Sequence, residues 1–344
     1  MEVNPLVSKA FGNMRFPLIL GVVLIHSNIL SFLPADDAMP VFRKFMTCWR
    51  YVLNLCVPAF YFISGYLFFR SGFLNLHAYS DKLRRRWHTL AVPYLLWNLI
   101  AFLTTCVKVH PALTDYFPQY KTLFDSWQNV AVGFVDLGGT SYPYDMPLWF
   151  IRNLIIAVLI SPVLSLMFKY LRWFSLVLLC CMIEFLDLPW SLASTVFFFA
   201  LGGCFPLLRF PVEKAASALW IWLPLFVMTS WANSAGVECF PLWISMTAGV
   251  MMLVSLSLLA TKSGFKTASI LDKSTFFVYA SHGLYASVVP KFVLALFPPD
   301  GNSEIGFADY IISFLLLAGV SFMLYVICVR LTPALANVLC GSRT

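Results

Sequence analysis

The chain carries apolar runs too long and too continuous for a water-soluble fold. Leu18–Ile25 and Phe314–Val329 show the pattern: neither alternates apolar with polar residues, as the roughly ten-residue strands of a membrane barrel would. A backbone crossing hydrocarbon must satisfy its own hydrogen bonds, which leaves helices. Ten such stretches, separated by polar punctuation, lie at roughly 16–33, 46–69, 87–108, 147–168, 173–189, 191–208, 216–233, 240–260, 274–297 and 308–330. Composition agrees, since 60% of the 344 residues are apolar and 11% are charged, less than half the ~25% usual in soluble domains. One crossing takes about 20 apolar residues, so the material suffices for about ten. The expected fold class is all-α: a polytopic membrane protein of about ten transmembrane helices. A soluble enzyme, a disordered chain, a secreted disulfide scaffold and a nucleic-acid binder are excluded.

Basic residues set the orientation. With the N-terminus in the cytoplasm, 16 of the 23 Lys and Arg fall inside. The remaining seven (Arg43, Lys44, Arg50, Lys108, Lys121, Arg152 and Lys291) fall outside or near the outer ends of spans. Twelve of the 16 acidic residues also lie outside. Both termini are therefore expected in the cytoplasm, and the net charge of +7 is mostly topology. The first apolar run is not expected to be a cleaved signal peptide, because no small-x-small site closes it before Pro34. Nine cysteines without CxxC or paired His spacing predict neither a metal site nor disulfides. The longest loop, about 109–146, contains Trp127, Gly138-Gly139 and Tyr142-Pro143-Tyr144 and is long enough to fold back over the outer mouth.

Ionisable groups inside spans are costly, about 2.5–3.5 kcal/mol for an Arg at a helix centre, and are the first functional candidates. The first span holds Arg15 and, eleven positions on, His26. At about 100° per residue these come within about 20° of three full turns, so the two share a face about 16.5 Å apart. Arg15 stands at the cytoplasmic boundary and His26 beyond mid-membrane. From spacing alone, a histidine hydrogen-bonded to a neighbouring helix explains His26 as well as a catalytic one does.

A second group is cytoplasmic. Phe60-Tyr61-Phe62-Ile63-Ser64-Gly65-Tyr66-Leu67 closes the second span, Arg70 follows, and Lys82-Leu83-Arg84-Arg85-Arg86 precedes the third. Such clusters are ordinarily positive-inside anchors. Their other reading is a phosphate grip, because guanidinium forks bind phosphate bidentately. Small Ser64 and Gly65 admit either a ligand or another helix. A third group opens the fourth span as Pro147-Leu148-Trp149-Phe150-Ile151-Arg152-Asn153. Trp149 reads as an interfacial aromatic, while Arg152, a turn deeper, suits a sugar hydroxyl or a carboxylate. The ninth span carries Tyr279-Ala280-Ser281-His282 near its middle, and Glu184 and Asp187 at the outer end of the fifth are expected to be interfacial or to pair with Arg152.

Taken together these residues resemble the acyltransferase-3 family of bacterial multi-pass membrane proteins, which O-acylate surface glycans. The resemblance rests on Arg15-x10-His26, Phe62-Ile63-Ser64-Gly65-Tyr66-Leu67, Lys82-x-x-Arg85, Pro147-Leu148-Trp149-Phe150-Ile151-Arg152 and Tyr279-x-x-His282, in this order across nearly the whole chain. Asn153 departs from the pattern, standing where many relatives carry Asp. No hydrolase-like C-terminal domain of the kind some members carry is expected, and residues 1–344 are expected to form a single transmembrane acyltransferase domain. The resemblance implies an enzyme of the bacterial inner membrane, working in the lipid bilayer without a permanently bound cofactor. Its co-substrate would be acyl-CoA, with acetyl-CoA the commonest in such families, held by Arg15, Ser64, Arg70, Lys82, Arg85 and Arg86. His26 would be the general base, while Trp149, Arg152, Tyr279 and His282 would bind or orient a glycan or lipid-linked saccharide acceptor. The alternative is an exporter of a polysaccharide or lipid-linked intermediate, against which stands the absence of a detectable internal repeat.

Overall fold

The computed structural model describes residues 4–34, 39–110, 123–135, 142–236 and 242–341. Helix α1 (Pro5–His26) starts where its sequence allows: the Asn4 side chain accepts the Leu6 N–H at 3.0 Å, and Pro5 has no N–H to satisfy. It stops after His26 because Ser27 Oγ donates to the Val23 carbonyl at 2.8 Å and Asn28 caps the 3-10 turn Ile29–Phe32. The second expected span is two helices, α2 (Pro40–Leu53) and α3 (Cys56–Phe69), because Pro58 has no N–H to offer the Asn54 carbonyl.

The polar α4 (Leu76–Arg86), capped by Asn75, buries none of its residues. A π-turn over Trp87–Ala91 then leads into α5 (Val92–Lys108), where Pro93 withholds one backbone donor. The chain continues through α6 (Trp127–Val135), α7 (Trp149–Leu171), α8 (Phe174–Phe185), α9 (Trp190–Leu207), α10 (Val212–Ala216) and α11 (Leu219–Ser234). It ends with α12 (Leu242–Lys262), α13 (Ser269–Ser281), α14 (Val289–Leu296), α15 (Ser303–Leu331) and α16 (Pro333–Leu339). No strand occurs among the described residues.

Among the described residues, seven helical runs are long and apolar enough to cross a membrane: Pro5–Phe32, Pro40–Phe69, Leu76–Lys108, Met146–Leu171, Trp190–Leu207, Leu242–Lys262 and Ser303–Leu331. The other three expected spans are shorter. α8 has 12 residues and α11 has 16, about 18 and 24 Å at 1.5 Å per residue against about 30 Å of hydrocarbon. The ninth is interrupted, since α13 has 13 residues and gives way to a 3-10 turn at His282–Leu284 before α14 resumes. The interruption falls on the polar cluster itself.

At the centre, α3 and α9 touch backbone to backbone. A Cβ on Gly65 would lie 1.9 Å from the Phe199 carbonyl oxygen, and a Cβ on Gly202 would lie 1.9 Å from that of Phe62. Gly65 therefore serves the approach of a helix, one of its two expected uses. Helix α9 is buried along almost its whole length. By contrast α15 buries a single stripe (Gly306, Asp309, Tyr310, Ser313, Leu317, Ser321 and Tyr325) and leaves its other faces to lipid.

Part of the long loop folds back on the bundle. Tyr94 donates its hydroxyl to the Phe134 carbonyl at 2.8 Å, and Tyr144 donates to Val130 at 3.0 Å. Gly138-Gly139 and the rest of 111–122 and 136–141 lie outside the described residues. The eight described cysteines are free thiols.

Candidate active site

A cavity of about 870 Å³ opens among helix ends that the basic-residue count places on the outer side. Its wall is built from the end of α1 (Val22, Ile25, His26), from α2 (Thr47, Arg50, Tyr51), from the start of α7 (Trp149, Phe150, Arg152), and from the first residues of α9 and α12. Tyr142 from the folded-back loop and Tyr279 from α13 complete it. Four of the expected site residues, His26, Trp149, Arg152 and Tyr279, thus come from three helices far apart in sequence to line one space.

His282 stands beside them without lining the cavity. Its side chain is 0% exposed, and its ring centroid is 5.2 Å from that of His26. His282 Nδ1 is 3.2 Å from the Val278 carbonyl oxygen. A carbonyl can only accept, so Nδ1 carries the proton and Nε2 of the neutral ring is an acceptor. That Nε2 has no hydrogen-bond partner among the described residues. The His26 ring packs beside it, its centroid 5.2 Å from that of His282.

The remaining outer residues are held by local contacts. Tyr279 gives its hydroxyl to the Pro147 carbonyl, tying α13 to the turn that precedes α7. Arg152 is 6% exposed, with Nε 3.3 Å from Asn153 Oδ1, and its charge reaches the Tyr61 phenol. Asn153 is therefore a neutral acceptor for the guanidinium. Glu184 accepts the Trp243 indole N–H at 3.1 Å at an exposed position, the interfacial one of its two expected settings.

A second group forms at the other end of α1. The charge of Arg15 acts on Arg86, and those of Arg86, Arg70 and Arg85 act on Lys82, so five of the six expected donor-binding residues share one electrostatic neighbourhood. Lys82 has a structural task as well: its ammonium donates to the Phe68 carbonyl at the end of α3 and lies 4.7 Å from the Phe68 ring centroid. Ser64, the sixth, is half-buried in α3 and lines no part of the outer cavity.

One residue escaped the sequence. Asp145 is 1% exposed, and neither carboxylate oxygen has a hydrogen-bond partner among the described residues. It packs on the interruption of the ninth span, where a Cβ at Gly283 would lie 2.0 Å from Asp145 Oδ1. Its backbone N–H donates to Asn98 Oδ1 at 3.2 Å. Burial pushes its carboxyl well above the usual carboxylate range. The sole signal in the sequence was its place just ahead of Met146-Pro147, and outer-loop acids are common.

The helical membrane bundle thus places a histidine at the wall of an outer cavity and a cluster of cations at the opposite end of the same helix. The acyltransferase-3 family model, described as an acyltransferase domain, matches residues 9–331, and the chain belongs to that family. The succinoglycan biosynthesis protein ExoH of Rhizobium meliloti (strain 1021) is 26% identical over 370 residues, covering 100% of this chain and 94% of that protein. No solved structure matches the chain.

Proposed function

We propose that the protein moves an acyl group from cytoplasmic acyl-CoA to a hydroxyl of an extracytoplasmic glycan or lipid-linked saccharide, in the bacterial inner membrane. The observation that carries this reading is the position of His26, which lines the outer cavity at one end of a helix whose other end holds Arg15. Family membership and a relative named for succinoglycan biosynthesis support acyl transfer onto a saccharide over export of one.

The chemistry follows from the groups present. The donor's phosphates rest on Arg15, Arg70, Arg85 and Arg86, whose forks suit oxyanions. With Lys82 they form a cluster of like charges that a polyanion relieves. The pantetheine arm brings the thioester along α1 towards His26. An acceptor hydroxyl in the cavity gives its proton to the bare nitrogen of His26 as its oxygen attacks the thioester carbonyl. The C–S bond then breaks, and the leaving thiolate recovers the proton from the imidazolium. His282 Nε2, accepting the other N–H, holds His26 in the tautomer that can act as base. Trp149 offers an apolar face to a sugar ring. Tyr279 is the hydroxyl nearest to serve a developing oxyanion, once it turns from Pro147.

The test is mass spectrometry of cell-surface glycans from cells with wild-type protein, with none, and with His26→Ala. An acyl mass present only with the wild type supports the reading. Unchanged acylation in the His26→Ala strain removes it.

A further inference from the structure

We propose that Tyr79 is a positioning residue for the acyl donor: its hydroxyl docks α4 on α7 and so turns the cationic face of α4 towards Arg15. This rests on the reading of the inner cations as the donor's site and adds what aims them. Helix α4 carries Lys82, Arg85 and Arg86 yet buries none of its residues, so packing alone does not fix its roll. Its like charges also repel one another and Arg15, and polar anchors must oppose that repulsion. Two of them reach α7. The Leu74 N–H, just ahead of α4, donates to Ser165 Oγ at 3.0 Å. The Tyr79 hydroxyl donates to the Leu159 carbonyl at 2.9 Å.

The receiving turn of α7 is the one ahead of its internal proline. Pro162 has no N–H for the Val158 carbonyl, which accepts Ser161 Oγ at 2.7 Å instead. The next carbonyl, Leu159, takes the tyrosine. A carbonyl oxygen has two lone pairs, so it serves the hydroxyl without giving up its place in the helix. On α4 the half-buried positions are Ala78, Tyr79, Lys82, Leu83 and Arg86, and the rest of the helix is exposed. At about 100° per residue, Tyr79, Lys82 and Arg86 fall within about 60° of one another. The bond that holds Tyr79 therefore fixes the roll of α4, and the roll sets where the Lys82 ammonium and the Arg86 guanidinium point. In the docked roll Arg86 feels the charge of Arg15, and Lys82 that of Arg86. Docking gathers the three cations into one place, and release of the tyrosine lets them disperse.

The experiment titrates the full chain, in nanodiscs of neutral lipid, with coenzyme A by calorimetry, so that donor binding is read apart from transfer. Tyr79→Phe keeps the ring and removes the bond alone, and Ser165→Ala tests the same docking from the side of α7. Tyr79→Phe is expected to bind coenzyme A about three- to tenfold more weakly, the size of one lost hydrogen bond. Its binding should also depend less steeply on salt, because fewer cations meet the phosphates. Ser165→Ala should move affinity in the same direction. In transfer assays on membranes, KM for the donor should rise by the same factor while kcat holds. Equal affinity in wild type and Tyr79→Phe overturns the proposal, as does a weaker affinity matched by an equal fall in kcat, which marks general damage to the fold. Failure of the wild type itself to bind coenzyme A overturns the donor reading and this proposal with it.

Discussion

The two ends of α1 meet opposite kinds of polar surroundings. At its outer end His26 lies against another imidazole that is fully enclosed, and the groups around them are tied to single backbone carbonyls: His282 to Val278 and Tyr279 to Pro147. At its inner end Arg15 joins a set of cations, of which Arg70 and Arg85 are exposed and Arg86 is half-buried. Enclosed groups have one geometry and one partner, so the loss of one removes a step. Exposed like charges share a task, are screened by salt, and yield graded losses. The outer end is built as a machine part and the inner end as a field.

That contrast can be broken most directly at His26. His26→Ala is expected to lower acyl transfer by a factor on the order of 10²–10⁴, the range for loss of a general base, with normal protein levels in the membrane. Activity assays on membranes normalised by immunoblot check this, and a loss of only a few-fold would place the outer end in the graded class. His282→Ala comes next, with kcat expected to fall by a factor on the order of 10², as for a reacting group displaced by about 1 Å. His282→Gln should recover part of that loss because its amide can still meet the Val278 carbonyl. An altered pH–rate profile in both variants separates a positioning role from simple loss of fold.

At the inner end the changes should be smaller and fall on KM for the donor rather than kcat. Arg85→Gln, exposed, is expected to raise KM about two- to fivefold, the size of a screened surface pair. Half-buried Arg15→Gln should exceed it, at about tenfold for one lost charged hydrogen bond. Both effects should fade at high salt, and donor titrations at two ionic strengths decide it.

The smallest effect concerns Asp145. Folding holds its carboxyl protonated to a higher pH than the unfolded chain does. Its contribution to stability is therefore whole below the unfolded value of about 3.9 and is lost as pH rises through the folded one. Asp145→Asn keeps the shape without the titration. It should melt as high as the wild type or higher at pH 7–8 and show a flatter pH dependence, measured by thermal unfolding in detergent.

Much of this was legible in the sequence, and the limits have physical causes. The Arg15–His26 relation needs only helix periodicity, and α1 is one helix from Pro5 to His26. The approach of His282 to His26 is a tertiary fact that no spacing encodes, although both were visible as polar residues in apolar runs. Where the helices break was less legible. Pro58 and Pro93 announce two of the irregularities, but the turn at His282–Leu284 lies where Asp145, from a distant segment, packs on Gly283. The short α8 and α11 looked like spans because hydropathy records composition and not the residue at which a helix ends.

The contact between α3 and α9 has a consequence for the energy economy of the cell that houses the protein. A bundle that spans a charged membrane must not relay protons. A file of water through the bundle would need a passage of at least about 10–15 Å³ for each molecule, with polar partners along it. Where Gly65 and Gly202 bring the Phe199 and Phe62 carbonyls against the opposite helix, the spacing leaves no room even for one added methyl. No file of water can pass along that seam between α3 and α9.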